Sequence, residues 1–380
     1  MTTAHSLTST LQAHIAQRIA AAGGWIGFDE FMALALYTPG LGYYANDSTK
    51  FGTMPYRLEG GKRVEGSDFV TAPEMTPLFG MALANQVAQA LQATQTHEIW
   101  EFGAGSGALA LQLLRSLEAM GQALPRYSII DVSGSLRQRQ AQTLAPYAEH
   151  VRWLDTLPES LQGVVVGNEL LDAMPVKLIT RLKAVWHERG VVLNPDQPEA
   201  GAAFAWSDRV STLRPPCEIA GEHDFLTEIH PQAEAFVRTL ADRLTRGALF
   251  LIDYGFSENE YYHEQRHMGT VMCHRSHRSD TDPLADVGLK DITAHVNFTG
   301  IALAAQEAGL ELLGYCTQAR FLLNCGLAGL LEAAPLAQRV RSQALIMEHE
   351  MGELFKVIGW VKGEAWDALG FAQGDRSHRL

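Results

Sequence analysis

The sequence predicts an α/β fold built on a mostly parallel sheet of seven strands, and three observations predict it. Between residues 98 and 167, short apolar runs alternate with amphipathic ones, the pattern of strands linked by crossover helices. Two further runs, 163–167 and 248–254, are apolar almost throughout, as strands buried on both faces must be. The segment Ile99-Trp100-Glu101-Phe102-Gly103-Ala104-Gly105-Ser106-Gly107-Ala108-Leu109 passes from a strand through alternating glycines into a helix. In such sheets ligands bind at the carboxyl ends of the strands, near the point where strand order reverses.

Each element follows from local pattern. Leu7, Leu11, Ile15 and Ile19 recur every four residues, one face of a helix that Gly23-Gly24 stops. A second helix is expected at 29–37, and Thr38-Pro39-Gly40-Leu41-Gly42 is a turn. Residues 45–68 are polar and glycine-rich and read as a long loop, which Phe69-Val70-Thr71-Ala72-Pro73-Glu74 ends. A helix rich in Ala, Leu and Gln covers 77–93. Core strands are expected at 98–102, 127–131, 151–154, 163–167 and 248–254, with helices at 108–120 and 135–144. Between the fourth and fifth strands the texture changes. Short strands at 176–182, 184–188, 191–193 and 204–206 are punctuated by Pro195, Pro198, Pro215 and Pro216. Residues 256–300 are irregular and rich in His and Arg. A helix at 301–309 and strands at 312–316 and 354–361 complete the chain. The division expected is an N-terminal helical and lid region (1–95), a core (96–175 and 246–380) and an inserted β-rich substrate lobe (176–245).

Composition narrows the function. With 47% hydrophobic and 19% charged residues the 380-residue chain can bury a substantial core. Thirty Lys and Arg against 43 Asp and Glu leave a net charge of −13, which argues against a surface that tracks nucleic acid. Cys217, Cys273, Cys316 and Cys325 form no CxxC pair, so no zinc ribbon or dithiol motif is indicated, and sparse cysteines suit a reducing compartment. No apolar run has the length of a membrane span and no compact signal-peptide core opens the chain, so a cytoplasmic enzyme is expected. A homodimer is compatible with the sequence, which does not fix the oligomeric state.

The glycines of 103–107 remove Cβ atoms where backbone must lie against a ligand and turn into a helix. Two cofactors compete for that loop. Gly103-x-Gly105-x-x-Ala108 satisfies a relaxed dinucleotide pattern and keeps NAD open. The third glycine and Glu101, two residues before Gly103, favour S-adenosylmethionine, since a carboxylate suits a methionyl ammonium and not a pyrophosphate. Asp131, at the end of the next strand, can accept from both ribose hydroxyls, and Asp155, past the third strand, can meet the adenine amino group. After the fourth strand, Glu169 and Asp172 lie three residues apart, on one face if that turn is helical. Two carboxylates there would clamp a cationic acceptor such as a guanidinium.

Seven segments in order resemble one family: Tyr37-Thr-Pro-Gly-Leu-Gly-Tyr-Tyr44, Phe69-Val-Thr-Ala-Pro-Glu74, Glu101-Phe-Gly-Ala-Gly-Ser-Gly107, Asn168-Glu-Leu-Leu-Asp-Ala-Met-Pro-Val176, Asp253-Tyr-Gly255, Gly269-Thr270 and Asp291-Ile-Thr-Ala-His-Val-Asn-Phe-Thr299. They resemble the MidA family of class I S-adenosylmethionine-dependent methyltransferases, with a Rossmann-like core. The resemblance implies methylation of an arginine on a respiratory complex I subunit, in the mitochondrial matrix for eukaryotic members and the cytoplasm for bacterial ones. The alternatives are a non-catalytic assembly chaperone that binds the cofactor and an NAD-dependent oxidoreductase. Carried over, Gly103, Ala104, Gly105, Ser106, Gly107 and Asp131 would bind the cofactor, with Thr71, Pro73 and Glu74 covering it. Asn168, Glu169 and Asp172 would line the methyl-transfer site. The chain departs from the family pattern in carrying Asp131 for Glu, and Leu170-Leu171 for two aromatics. Arg275-Ser276 also stands where Tyr-Arg is expected.

Two groups remain. Asp253 and His295, both within family segments, are candidates for acceptor binding. His263, His267, Cys273, His274, His277 and His295 are dense, with His263 and His267 at helical ligand spacing. No acidic general base accompanies them in a His-Glu-x-x-His frame and arginines surround them, so no metal is expected.

Overall fold

A computed structural model describes every residue except 1, 47–55, 60–61, 66–69, 132–133, 195–203 and 276. Helix α1 (Thr2–Ala21) buries Leu11, Ile15 and Ile19, the four-residue stripe of the sequence. Strand β1 (Ile26–Gly27) leads directly into α2 (Phe28–Tyr37), with Asp29 and Glu30 in its first turn, where the helix dipole favours them. The stretch expected to be one long loop contains a hairpin of β2 (Tyr56–Glu59) and β3 (Lys62–Glu65). Its end forms a short helix, α3 (Ala72–Met75), before α4 (Pro77–Thr94), whose N-terminus Thr76 caps by accepting from the Leu78 N–H.

The alternating centre follows: β4 (Glu98–Phe102), α5 (Ala108–Ala119), β5 (Arg126–Ile130), α6 (Gly134–Thr143), β6 (Val151–Leu154) and β7 (Leu161–Asn168). Next come β8 (Lys177–Leu182), β9 (Val185–Leu193), β10 (Phe204–Val210) and β11 (Phe225–Ile229). The two short strands expected at 184–188 and 191–193 are one continuous strand, β9; Gly190 does not break it because its neighbours crowd the position and the ladder runs on. Helix α7 (Pro231–Arg243) precedes β12 (Leu244–Phe256) and α8 (Glu258–Tyr261). The stretch read as irregular holds β13 (Met272–Arg275), β14 (Arg278–Asp280), β15 (Asp291–Thr293) and β16 (Val296–Asn297). The tail is α9 (Phe298–Glu307), β17 (Glu311–Thr317), α10 (Gln318–Asn324), α11 (Leu327–Ala333), α12 (Leu336–Ser342) and β18 (Phe355–Lys362).

The central sheet runs β17-β18-β12-β7-β4-β5-β6, with β16 beside the end of β12. Pairs β12–β7, β7–β4, β4–β5 and β5–β6 are parallel, and β18 is antiparallel to both its neighbours. Strand order reverses between β4 and β7, so their carboxyl ends frame a switch point. Period-two alternation splits the strand side chains. Ile99, Val164, Val166, Phe250 and Ile252 face α4 and α5, while Trp100, Val165, Leu249 and Leu251 face α7 and α9. Both faces are therefore covered, as the unbroken apolar runs require.

A second, antiparallel sheet, β1-β9-β8-β11 with β10 on β9, stands beside the core. It joins two distant parts of the chain: Ile26 pairs with Val191, and α1 and α2 pack on it through Leu11, Phe28 and Phe31. A small sheet, β14-β13-β15, completes that side. Among the described residues no helix is long and apolar enough to cross a membrane, and the four cysteines are free thiols.

Candidate active site

A cavity of about 1340 Å³ opens over the switch point. It is lined by the ends of β4, β5, β7 and β12, by α2 and α3, and by the sheet of β8–β11. Its volume exceeds the ~300–1,000 Å³ usual for one small ligand, so a nucleoside cofactor and an acceptor side chain fit together.

The glycine loop forms one wall. Gly103, Gly105 and Gly107 have φ of 65°, 53° and 84°, left-handed conformations that cost other residues ~1–2 kcal/mol each. Gly107 is the N-cap of α5 and packs beside Gln140 and Leu144. Gly103, Ala104, Gly105 and Ser106 line the cavity, with Thr71, Pro73 and Glu74 opposite, where Ser106 Oγ donates to Glu74 Oε1. Glu101 lies beneath the loop, 3% exposed, and accepts from the Tyr127 hydroxyl at 2.7 Å. Burial pushes its carboxyl up to about 7 against the opposing pull of that hydrogen bond. Asp131 lines the cavity at the end of β5 and accepts from Gln140 Nε2 at 2.8 Å. The same amide nitrogen donates to the Gly105 carbonyl at 3.0 Å, and Gln140 Oε1 accepts from Trp153 Nε1 at 2.9 Å. Gln140, missed in the sequence because a mid-helix Gln carries no motif, locks the glycine loop to Asp131. Asp155 stands apart: its side chain is 85% exposed, pairs with Arg137 at 3.0 Å and does not line the cavity.

The second wall is the segment after β7. Glu169 and Asp172 do line one cavity, but on a non-helical turn and not the helical one expected. Glu169 has φ of 51°, a left-handed backbone outside glycine. Asp253 explains how that turn holds. It is fully buried, its Oδ2 accepts from the N–H groups of Leu170 (3.0 Å), Leu171 (2.8 Å) and Asp172 (3.2 Å), and its Oδ1 accepts from Tyr254 N–H at 2.9 Å. Asp253 thus does not reach the cavity, and its neighbour Tyr254 does.

Glu169 Oε1 accepts from Asn168 Nδ2 at 3.0 Å and from the Ala72 N–H at 3.4 Å, tying β7 to α3. Burial first, then the charge of Asp172, pushes the Glu169 carboxyl up to about 8; burial pushes Asp172 up to about 6. Asn168 Oδ1 and Asp172 Oδ1 are buried with no hydrogen-bond partner among the described residues. Around them stand tyrosines. Tyr37 donates to the Ala173 carbonyl at 2.8 Å and stacks on Tyr44 with centroids 5.6 Å apart, while Tyr44 donates to Asp291 Oδ2 at 2.7 Å. His295 lines the same cavity between Tyr254 and Phe256. A buried Asp172 with an unpartnered Oδ1, a half-buried Glu169 that the Asp172 charge repels, and aromatic walls make a receptor for a cation. His263 and His267 are exposed, and among the described residues no three metal-binding side chains gather.

The residues present fit S-adenosylmethionine: left-handed glycines admit backbone contact, and the carboxylates of Glu101 and Asp131 both line the cavity.

Known proteins resemble this chain over most of its length. A family model described as putative S-adenosyl-L-methionine-dependent methyltransferase matches residues 82–316. A crystal structure of a likely methyl transferase from Burkholderia thailandensis, bound to S-adenosyl-homocysteine, is 47% identical. It superposes with a TM-score of 0.91, covering 99% of this chain and 98% of that one. The protein arginine methyltransferase NDUFAF7, mitochondrial, of Danio rerio is 25% identical over 92% of this chain and 86% of its own. The human protein of that name is 26% identical over 83% and 73%. The chain therefore belongs to the family of putative S-adenosyl-L-methionine-dependent methyltransferases, the MidA-like proteins to which its seven motifs pointed.

Proposed function

We propose that the chain transfers a methyl group from S-adenosylmethionine to an arginine side chain of a protein. The observation that carries this reading is the pair Glu169 and Asp172 on one cavity beside the glycine loop, both raised in pKa, with Asp172 Oδ1 buried and without a partner among the described residues. A guanidinium presents a planar fork of donors that matches two carboxylates and returns both to their charged forms. The arginine methyltransferase names of relatives such as the zebrafish and human proteins support the same acceptor. The family resemblance points further, to a subunit of respiratory complex I.

In this reading Gly103–Gly107, Glu101 and Asp131 bind the cofactor, with Thr71, Pro73 and Glu74 as its cover. The bound cofactor supplies an electrophilic methyl on a sulfonium. Asn168 orients Glu169, and Glu169 with Asp172 fixes the guanidinium so that one nitrogen lone pair points at that methyl. Their negative charge stabilises the positive charge that builds on the acceptor. Tyr37 and Tyr44 close the pocket against water, and the sheet of β8–β11 carries the protein substrate.

The test is incubation of the purified chain with methyl-labelled S-adenosylmethionine and a library of arginine-containing peptides, read by mass spectrometry. Label on arginine nitrogen supports the proposal. Label on another residue type, or cofactor binding with no transfer to protein, overturns it.

A further inference from the structure

We propose that His295 is the proton acceptor of the methyl-transfer step, taking the proton that the methylated guanidinium must lose. The inference rests on the arginine reading above.

The imidazole of His295 lines the cavity and is wedged edge-on between two rings, Tyr254 at 5.2 Å and Phe256 at 5.1 Å. Its backbone is pinned on both sides. The N–H donates to Thr270 Oγ1 at 3.0 Å, and the carbonyl accepts from His230 Nε2 at 2.9 Å. The preceding Ala294 N–H donates to the carbonyl of Asp172 at 2.9 Å, which ties this segment to the carboxylate turn itself. The ring, in contrast, is unspent. Nδ1 is buried with no partner, and no hydrogen bond reaches Nε2 among the described residues. A sealed polar atom without a partner is costly, and sites that keep one commonly use it.

The charged or titratable groups around the ring are Arg266, stacked on Phe256 at 3.8 Å, Lys356, 5.8 Å from the Phe256 ring, and His230, itself held down to about 4 by burial. Burial first, then these neighbours, holds the imidazole down to about 4, so it is neutral with a free lone pair at physiological pH. Tyr254 sits between the two functions, its ring on His295 and its hydroxyl toward Asp172.

The chemistry needs such a group. A guanidinium nitrogen forms its N–C bond as the methyl's C–S bond breaks, with that electron pair leaving on sulfur. The acceptor then carries two positive charges, and one N–H proton must go. Glu169 and Asp172 are badly placed to take it, because a protonated carboxyl no longer holds the guanidinium. A neutral imidazole takes the proton, leaves a singly charged methylguanidinium between the two carboxylates, and passes the proton to solvent through the cavity mouth. A weakly basic ring suffices, since a doubly charged guanidine is a strong acid.

The experiment compares wild type, His295→Gln and His295→Gly with labelled cofactor and an arginine peptide the wild type accepts. Expected is a fall in kcat of ~10²–10⁴-fold, with the Kd for S-adenosylhomocysteine, the peptide KM and the Tm near wild type. Added imidazole should restore His295→Gly in proportion to its concentration, a response that a packing role would not give. If His295→Gln keeps kcat within about threefold, or if imidazole fails to rescue a folded, cofactor-binding His295→Gly, the assignment is overturned. Absence of arginine label from the wild type overturns the arginine reading and this inference together, so the two failures are told apart.

Discussion

Glu101 and Glu169 are acids kept partly protonated by burial, and each gives a signed expectation. If Glu101 meets the methionyl ammonium as proposed, its pKa of about 7 means that the anion fills in as pH rises from about 6 to 8. Affinity for S-adenosylhomocysteine should therefore rise over that window by calorimetry, and Glu101→Gln should bind more weakly with a flat profile. Glu169 has a folded-state value above its unfolded one, so its contribution to stability is full below the unfolded value and is lost as pH climbs toward 8. Free Glu169→Gln protein should accordingly melt higher than wild type above pH 8. The same substitution removes one arm of the guanidinium clamp, so methyl transfer should fall by at least ~100-fold while cofactor affinity is spared. Full activity in Glu169→Gln would remove the carboxylate pair from the mechanism.

At the scale of elements, two clasps hold the site. Asp253, at the end of β12, gathers three successive N–H groups of the turn after β7. Asp253→Ala should lower unfolding stability by about 3 kcal/mol, since several buried N–H donors lose their acceptor at once, and a urea titration would show it. Gln140 clasps the other wall; Gln140→Leu should weaken cofactor binding about tenfold, the worth of one hydrogen bond to a charged group, with little change in the acceptor KM. Legibility in the sequence follows from these roles. The strands β4–β7 and the glycine loop were readable because their patterns are local. The place of Glu169, Asp172 and Asp131 on the cavity was readable because they follow strand ends. Asp253 and Asp155 were harder, because a carboxylate at a strand end looks the same whether it faces a ligand, a backbone turn or solvent. Helix α7 went unread although Ala233, Val237, Leu240 and Ala241 sit at helical spacing after a helix-starting Pro231, because prolines and short strands on its N-terminal side suggested continued β structure. The single strand β9 looked like two because Arg189-Gly190 interrupts its apolar run.

The whole molecule pairs a parallel core, which holds the cofactor, with an antiparallel sheet shared by the first and middle parts of the chain. A ligand bound only by the native state raises apparent stability, by ~2.7 kcal/mol at a hundred times Kd. S-adenosylhomocysteine at that level should raise Tm, and NAD at the same concentration should not; an equal rise with NAD would return the dinucleotide reading of the glycine loop.

The place of β18 bears on how the molecule is made. This strand, near the end of the sequence, lies between β12 and β17 in the sheet, so the other strands cannot close without it. During synthesis the parallel half can collect while β12 keeps an open edge, and an open apolar edge recruits other chains. A chain that stops short of residue 355 is therefore expected to aggregate during translation instead of accumulating as a shorter enzyme, so completion of the polypeptide itself becomes a checkpoint for solubility.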